Sequence, residues 1–206
     1  MTVLCYHHKG GVGKSTTAVH VALTLLDDGS VLVIDGDTQA HSCAFFGVPP
    51  AAAEDGPVAV PAAGALWVAH AENSRLRRLP KQVGADHVVV DLSADFERMA
   101  RVATTLPPDL VLLCTKPHTG ALRDLPAVVN ALVRETTAEV RVVPIGVDPA
   151  EIDAALAAFP AGSYVVADPV SYVPDEAERS FEERRPVWDF PTCTALRAEY
   201  DALTDP

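Results

Sequence analysis

Two lysines and three glycines lie within eight residues near the start of the chain, in the sequence Lys-Gly-Gly-Val-Gly-Lys-Ser-Thr at positions 9–16. Glycines let a loop curl so that successive backbone N–H groups point inward, and such a loop binds phosphate oxygens. A helix that begins directly after it adds the partial positive charge of its N-terminus. Lys14 is then placed to reach terminal phosphates, and the Ser15 hydroxyl to ligate Mg²⁺. The stretch therefore predicts a phosphate-binding loop.

The residues around this loop have the pattern that such a loop needs. Residues 3–6 form an apolar run that is typical of a buried strand, and apolar side chains then recur on one face of a helix over residues 18–26. A standard P-loop has a glycine where this chain has His8. The loop is therefore a variant, with a second lysine, Lys9, at its head.

This variant resembles the deviant Walker A motif, Lys-Gly-Gly-X-Gly-Lys-Ser/Thr, of the ParA/MinD family of dimerising ATPases. In that family the first lysine crosses a dimer interface and touches the nucleotide of the partner. The resemblance implies that the chain forms a homodimer with ATP and that Lys9 and Lys14 both have catalytic roles. It implies ATP-binding residues at Lys9, Gly10, Gly11, Val12, Gly13, Lys14, Ser15 and Thr16.

Carboxylates follow two predicted buried strands. Residues 31–35 and 88–91 are apolar until they end in Asp35 and Asp91. Ligands bind at the carboxyl ends of the strands in open α/β sheets. Because Asp35 and Asp37 are separated by one residue of extended chain, both side chains project the same way, toward Mg²⁺ and the γ-phosphate. The strand that ends in Asp91 has a Walker B pattern, in which the carboxylate holds Mg²⁺.

Residues 35–39, Asp-Gly-Asp-Thr-Gln, resemble the Asp-X-Asp-Pro-Gln switch I of ParA-type proteins, with Thr38 in place of the proline. The resemblance implies that Asp37 orients the attacking water and that Asp35 supports the metal shell. Positioning of this kind supplies most of the acceleration in phosphoryl transfer. The predicted metal residues are therefore Ser15, Asp35 and Asp91.

Later segments depart further from the family pattern. The proline that is common in switch II is absent from residues 92–95, and Asp148-Pro149 stands where relatives often have an asparagine that reads the base. The loop at residues 168–174 falls where the family packs backbone against adenine. That correspondence implies Pro169 as a further nucleotide contact.

The order of the predicted elements indicates an α/β fold with a mostly parallel twisted sheet and helices on both faces. At 206 residues, with proline and glycine scattered rather than clustered, the chain is predicted to form one domain over residues 1–206. The helix that follows Lys116-Pro117 is predicted to start only at Asp124, because Pro126 is tolerated in a first turn and not further in. The tail at residues 192–206 is predicted to pack as a helix.

The formal net charge is −12, so any contact with DNA must come from a local basic patch. The family often supplies arginines for nonspecific DNA contact near residues 176–185, which implies Arg179, Arg184 and Arg185 as candidate DNA contacts. The densest basic cluster lies in a predicted helix at residues 72–83. The basic face of that helix is either simply exposed to solvent or part of a docking surface.

A cytoplasmic protein is expected. The N-terminus leads into the first predicted strand without a basic or small-residue segment, and no apolar run approaches the ~20 residues of a membrane span. The four cysteines lie far apart without C-x-x-C spacing, which favours buried thiols in a reducing compartment. If the chain binds DNA, it would associate with the nucleoid.

Three functions remain open. The first is a ParA-like ATPase that binds a surface such as nucleoid DNA and positions DNA or a protein cargo, with a ParB-like or adaptor protein stimulating hydrolysis. The second is a MinD-like regulator at the membrane, but the tail is acidic, whereas a membrane anchor would be a basic amphipathic helix. The third is a nucleotide-gated redox or metal-loading protein, for which the cysteine spacing offers no pair.

Overall fold

Eight strands form one sheet in the computed structural model, which describes residues 1–71, 75–117, 120–160 and 162–205. The strands are β1 Thr2–Tyr6, β2 Val31–Gly36, β3 Val58–Ala59, β4 Leu66–His70, β5 His87–Leu92, β6 Leu110–Thr115, β7 Glu139–Pro144 and β8 Val165–Val166. Their order is β3-β4-β2-β5-β1-β6-β7-β8. All neighbours pair in parallel except β3 and β4. The predicted fold class is confirmed.

Helices connect the parallel strands, as crossover connections require. They are α1 Lys14–Leu25, α2 His41–Phe45, α3 Pro50–Glu54, α4 Leu79–Val83, α5 Phe96–Thr105, α6 Ala121–Glu135, α7 Pro149–Leu156, α8 Pro174–Glu183 and α9 Leu196–Asp201. Short 3₁₀ turns lie at Pro61–Ala63 and Val187–Asp189. Within the described residues, no helix is both long and apolar enough to cross a bilayer.

Two apolar clusters cover the two faces of the sheet. Because side chains alternate along a strand, Val3 and Cys5 of β1 enter one cluster, and Leu4 and Tyr6 enter the other. The first cluster is completed by α1 and α9, and the second by α5, α6 and α7. A central strand that is covered on both faces holds its carboxyl end rigidly, and the phosphate loop begins at that end.

The predicted start of α6 is wrong. The helix begins at Ala121, and Pro126 lies inside it. Proline in a helix interior costs about 3 kcal/mol because it removes one hydrogen bond and crowds the preceding turn. Four large side chains of α6, each worth about 1.5–3 kcal/mol when buried, outweigh that cost. They are Leu125, Val128, Val129 and Leu132.

The C-terminal helix is short and buried. Leu196, Tyr200 and Leu203 are all less than 5% exposed and join the cluster that contains α1, as the tail prediction required. An apolar face that packs on the core is not free to lie in a lipid interface. In the basic segment at residues 72–83, only α4 is helical among the residues that the structure describes, and residues 72–74 lie outside them.

Candidate nucleotide and metal site

A cavity of about 570 Å³ lies at the carboxyl edge of the sheet, between the loop after β1 and helix α8. The loop side is lined by the residues of the Walker A sequence, and the facing side by switch I and α8. The lining residues are Gly10, Gly11, Gly13, Lys14, Ser15, Thr16, Asp37, Gln39, His41, Lys116, Ala177, Glu178, Phe181 and Glu182. The predicted phosphate loop and Asp37 therefore face the same cavity.

The glycines of the loop have different structural roles. Gly11 and Gly13 adopt φ angles of 74° and 96°, in the left-handed region that favours glycine. A Cβ at Gly13 would also lie 2.8 Å from Ile145 Cδ1, and Gly13 is the residue from which α1 starts. Gly10 has no such constraint, because a Cβ there would meet nothing within 4 Å. Gly10 thus lies on the open side of the loop.

The Lys14 side chain folds back over the phosphate loop. The side chain is 7% exposed, and its Nζ donates to the carbonyl of Lys9 at 2.9 Å. The ammonium group is therefore held next to the backbone N–H groups of the loop. A triphosphate in the cavity would meet both sources of positive charge.

Lys9 is held within its own subunit. Its Nζ lies 2.9 Å from Asp124 Oδ2, and the same carboxylate receives Arg123 Nε at 2.9 Å and contacts His8 Nε2 at 3.2 Å. The hydrogen bonds from Arg123 and then Lys9 hold the pKa of Asp124 well below its usual range. Lys9 must leave Asp124 before it can reach a second subunit.

Asp35 and Asp91 stand side by side on β2 and β5. The oxygens of Asp35 accept backbone N–H groups, from Asp37 at 3.0 Å and from Cys43 at 2.9 Å. Asp91 Oδ2 accepts the Ser42 hydroxyl at 2.7 Å, whereas its Oδ1 is buried without a hydrogen-bond partner. Asp35 therefore organises the switch I backbone, and Asp91 keeps an oxygen for a ligand.

Burial of these two carboxyl groups is costly without a cation. Burial and, after it, the charge of Asp35 raise the pKa of Asp91 to about 7, against the lowering effects of hydrogen bonding by Ser42 and Ser15 and of the Lys14 charge. Burial also raises the pKa of Asp35. Two adjacent buried carboxylates with a spare oxygen fit a hard divalent cation such as Mg²⁺.

Ser15 and Asp91 are the residues that would hold Mg²⁺, with Asp35 adding negative charge behind them. Mg²⁺ usually takes one or two protein ligands and completes its shell with water and substrate phosphates. In the part of the chain that the structure describes, no three His, Cys, Asp or Glu side chains converge on a metal site. A cation here would therefore depend on the nucleotide for its remaining ligands.

Asp37 faces the cavity from a tightly tied turn. Its N–H is bound by Asp35, its Oδ1 accepts the N–H of Gln39 at 3.0 Å, and its carbonyl oxygen lies 3.1 Å from His70 Nε2. The carboxylate is therefore fixed through backbone contacts on both sides. Sequence reasoning missed His70, because nothing in the sequence places the end of β4 beside switch I.

A narrower hollow adjoins Gly13 on the side away from switch I. Lys116, Ile145, Tyr172 and Pro174 are among the residues that line it, and Lys116 Nζ lies 5.2 Å from the centre of the Tyr172 ring. Burial lowers the pKa of Lys116. Pro169, the predicted adenine contact, is exposed and does not line this hollow, so its contact with nucleotide stays a prediction.

Two of the three candidate DNA-contact arginines, which lie in α8 and directly after it, make contacts within the subunit. Arg179 and Arg185 each pair with Glu183, at 3.0 and 2.9 Å, and their guanidinium groups lie 4.6 and 4.0 Å from the centre of the Phe190 ring. Arg184 has a left-handed φ of 52° and is exposed. Among the ion pairs of the described residues, none involves Arg184.

Comparison with known proteins agrees with the interpretation of residues 9–16 as a phosphate loop. A family model described as an AAA domain matches residues 1–61. The Maintenance of carboxysome distribution protein A (McdA) of Gloeobacter kilaueensis is 32% identical over 151 residues, which is 73% of this chain. The match covers 65% of that relative, so the chain spans less than two thirds of its length.

Solved structures show the same fold over nearly the whole chain. Apo McdA of Cyanothece superposes with a TM-score of 0.77 at 15% identity, covering 98% of this chain and 97% of that one. The cell division ATPase MinD of Pyrococcus furiosus superposes with a TM-score of 0.74 at 19% identity, covering 98% and 95%. With the deviant Walker A sequence at residues 9–16 and the parallel sheet that carries it, these matches show that the chain is similar to the ParA/MinD family of deviant Walker A ATPases.

Proposed function

We propose that this chain is an ATP-dependent positioning ATPase of the ParA kind, which dimerises with ATP, hydrolyses it, and so segregates or positions DNA or a protein cargo. One observation carries the proposal. Lys14, Ser15 and Asp37 line one cavity, and Asp91, with its unpartnered buried oxygen, lies against that group. The Gloeobacter relative is named for carboxysome distribution, which supports a protein assembly as the class of cargo.

The residues divide the work of hydrolysis between binding and positioning. The backbone of residues 10–16 and Lys14 would hold the phosphates, and Ser15 and Asp91 would hold Mg²⁺, which supplies positive charge for phosphoryl transfer when it is bound. Asp37 orients the attacking water from the opposite wall of the cavity. Water that is oriented by a fixed carboxylate loses little entropy in reaching the phosphorus atom.

Dimerisation places Lys9 in the site of the second subunit. Gly10, beside it, is on the open side of the loop, so a second copy can approach there. A ParB-like or adaptor protein would stimulate hydrolysis and release the dimer from its surface. The protein would work in the cytoplasm, and on the nucleoid if the surface is DNA.

Asp37→Ala is expected to lower kcat for ATP hydrolysis by about 100-fold, because misplacement of a reacting group by about 1 Å costs about that much in rate. The ATP-dependent dimer should persist, since Asp37 makes no contact with Lys9 in the described hydrogen bonds. The check is phosphate release at saturating Mg²⁺ and ATP, with light scattering on the same samples.

Thr38→Ala serves as the matched control, because it removes an exposed side chain from the same turn that does not line the cavity. The backbone N–H of Gln39, which binds Asp37, is unchanged. Turnover of Asp37→Ala at the wild-type rate would remove Asp37 from the water-positioning role.

Arg184→Glu is expected to weaken binding of the ATP dimer to a random-sequence DNA duplex and to reduce the salt slope of the affinity by about 1. Arg184 is the cleanest of the three candidate arginines to change, because reversing Arg185 would also disrupt its pair with Glu183. The measurement is fluorescence anisotropy over a salt series.

Arg134→Glu is the control for this charge change, since Arg134 is exposed in the last turn of α6. An unchanged affinity in Arg184→Glu would exclude this patch. The same assay on Arg77→Glu and Arg78→Glu then tests the other predicted docking surface, because both arginines are exposed and neither is in an ion pair among the described residues.

A further inference from the structure

His70 ends strand β4 beside switch I, and it contacts the backbone of the proposed water-orienting residue. It pairs with Asp35 in the register of β2 and β4, and its Nε2 lies 3.1 Å from the carbonyl oxygen of Asp37. The side chain is only 19% exposed. This imidazole is therefore held in place by the sheet while the turn that it contacts lies at the surface.

The direction of this hydrogen bond follows from its partner. A carbonyl oxygen only accepts, so Nε2 must carry the proton and donate it to Asp37. The other ring nitrogen, Nδ1, points toward Glu54 Oε1 at 3.6 Å, which is too long for a strong hydrogen bond. Glu54 is 64% exposed, so its contact adds little to the position of the ring.

Switch I has few contacts with the rest of the fold at this point. Thr38 and Gln39, which follow Asp37, are exposed. The carbonyl oxygen of Asp37 accepts the Ala40 N–H at 3.0 Å within the turn, and His70 donates to the same oxygen from strand β4. Without His70 the turn keeps its own hydrogen bonds but is no longer held against the end of β4, so the turn as a whole would shift and carry the Asp37 carboxylate away from its place in the cavity.

We propose that His70 is a positioning residue for ATP hydrolysis, which fixes the Asp37 carboxylate by donating a hydrogen bond to the Asp37 carbonyl oxygen. This inference rests on the proposed function. Misplacement of a reacting group by about 1 Å costs up to about 100-fold in rate. The effect falls on kcat, because His70 does not line the nucleotide cavity.

The experiment compares His70→Gln with His70→Asn. The glutamine amide nitrogen reaches about as far as histidine Nε2 and is able to donate to the same carbonyl, whereas the asparagine amide is one methylene too short. We expect kcat to fall about tenfold in His70→Asn and to stay within about twofold of wild type in His70→Gln. The dissociation constant for ATP and the ATP-dependent dimer should be unchanged in both.

Two further variants separate positioning from general stability. Glu54→Gln should leave kcat within about twofold of wild type, because the hydrogen bond to Asp37 carries the role. In an Asp37→Ala background, His70→Asn should cause no further loss, since the two residues act through one group. Thermal unfolding of each variant shows whether a lower rate reflects a lower folded fraction.

These experiments distinguish an error in the role of His70 from an error in the proposed ATPase function. If the wild-type protein does not hydrolyse ATP, the proposed function is wrong. If the wild-type protein does hydrolyse ATP, a wild-type kcat in His70→Asn would show that His70 is not a positioning residue. An equal loss of activity from His70→Asn with and without Asp37 would show the same. Equal losses in His70→Gln and His70→Asn would also overturn the role of His70.

Discussion

Gly10→Val is expected to abolish the ATP-dependent dimer while the isolated subunit still folds and binds ATP. A Cβ at Gly10 meets nothing within 4 Å of its own subunit, and the φ of Gly10 lies outside the left-handed region that L side chains avoid. The substitution is therefore tolerated by the loop itself. Across a face-to-face interface, however, a branched side chain beside Lys9 would separate the two loops.

The measurement is light scattering of Gly10→Val with a non-hydrolysable triphosphate, beside calorimetric titration with ATP. Gly10→Ala is the graded control, because a single methyl group should weaken the dimer less than the branched side chain does. A dimer of wild-type strength in Gly10→Val would show that this side of the loop does not face the partner. That result would also contradict the role of Lys9 across the interface.

Asp91→Asn is expected to stabilise the protein without nucleotide and to abolish Mg²⁺-dependent hydrolysis. The folded-state pKa of Asp91 is raised from 3.8 to about 7, chiefly by burial. Between these values the folded protein keeps a proton that the unfolded chain releases, so this group lowers stability as the pH rises from 4 to 7. Asparagine cannot ionise, and its side-chain oxygen still accepts the Ser42 hydroxyl.

The gain in the free energy of unfolding should be about 4 kcal/mol at pH 8 and near zero at pH 4. Thermal or denaturant unfolding without Mg²⁺ at the two pH values measures it, and phosphate release with Mg²⁺ and ATP measures the lost activity. Asp153→Asn, on the exposed face of α7, is the control for the same change of charge. Equal stability of Asp91→Asn and wild type at pH 8, or retained hydrolysis, would contradict the assignment.

These two predictions concern opposite properties of one site. Ionised Asp91 destabilises the free protein because its charge is buried beside Asp35, and a bound cation would offset that charge. Gly10 has no close neighbour in the free protein, and the space beside it would be filled by nucleotide and a second subunit. In both cases the isolated chain is incomplete in a way that ATP, Mg²⁺ and a second copy would correct.

The sequence alone was sufficient for the fold and for the conformation of the glycine loop, because both depend on local properties of the chain. The apolar runs ending in Asp35 and Asp91 predicted buried strands, and the rule that carboxyl ends of parallel strands meet at one edge brought these carboxylates to the loop. Gly11 and Gly13 predicted the loop because the positive φ angles that they adopt are open to few other residues.

Only the tertiary structure showed which side chains hold the residues of the phosphate loop and switch I. Lys9 meets Asp124, and Asp37 meets His70, across 115 and 33 residues of chain. The start of α6 was likewise decided by burial of its apolar face against the sheet, which outweighed the local cost of Pro126. Such contacts depend on where separate elements pack, and the free energy of packing is a property of the whole assembled core, which no local pattern in the chain encodes.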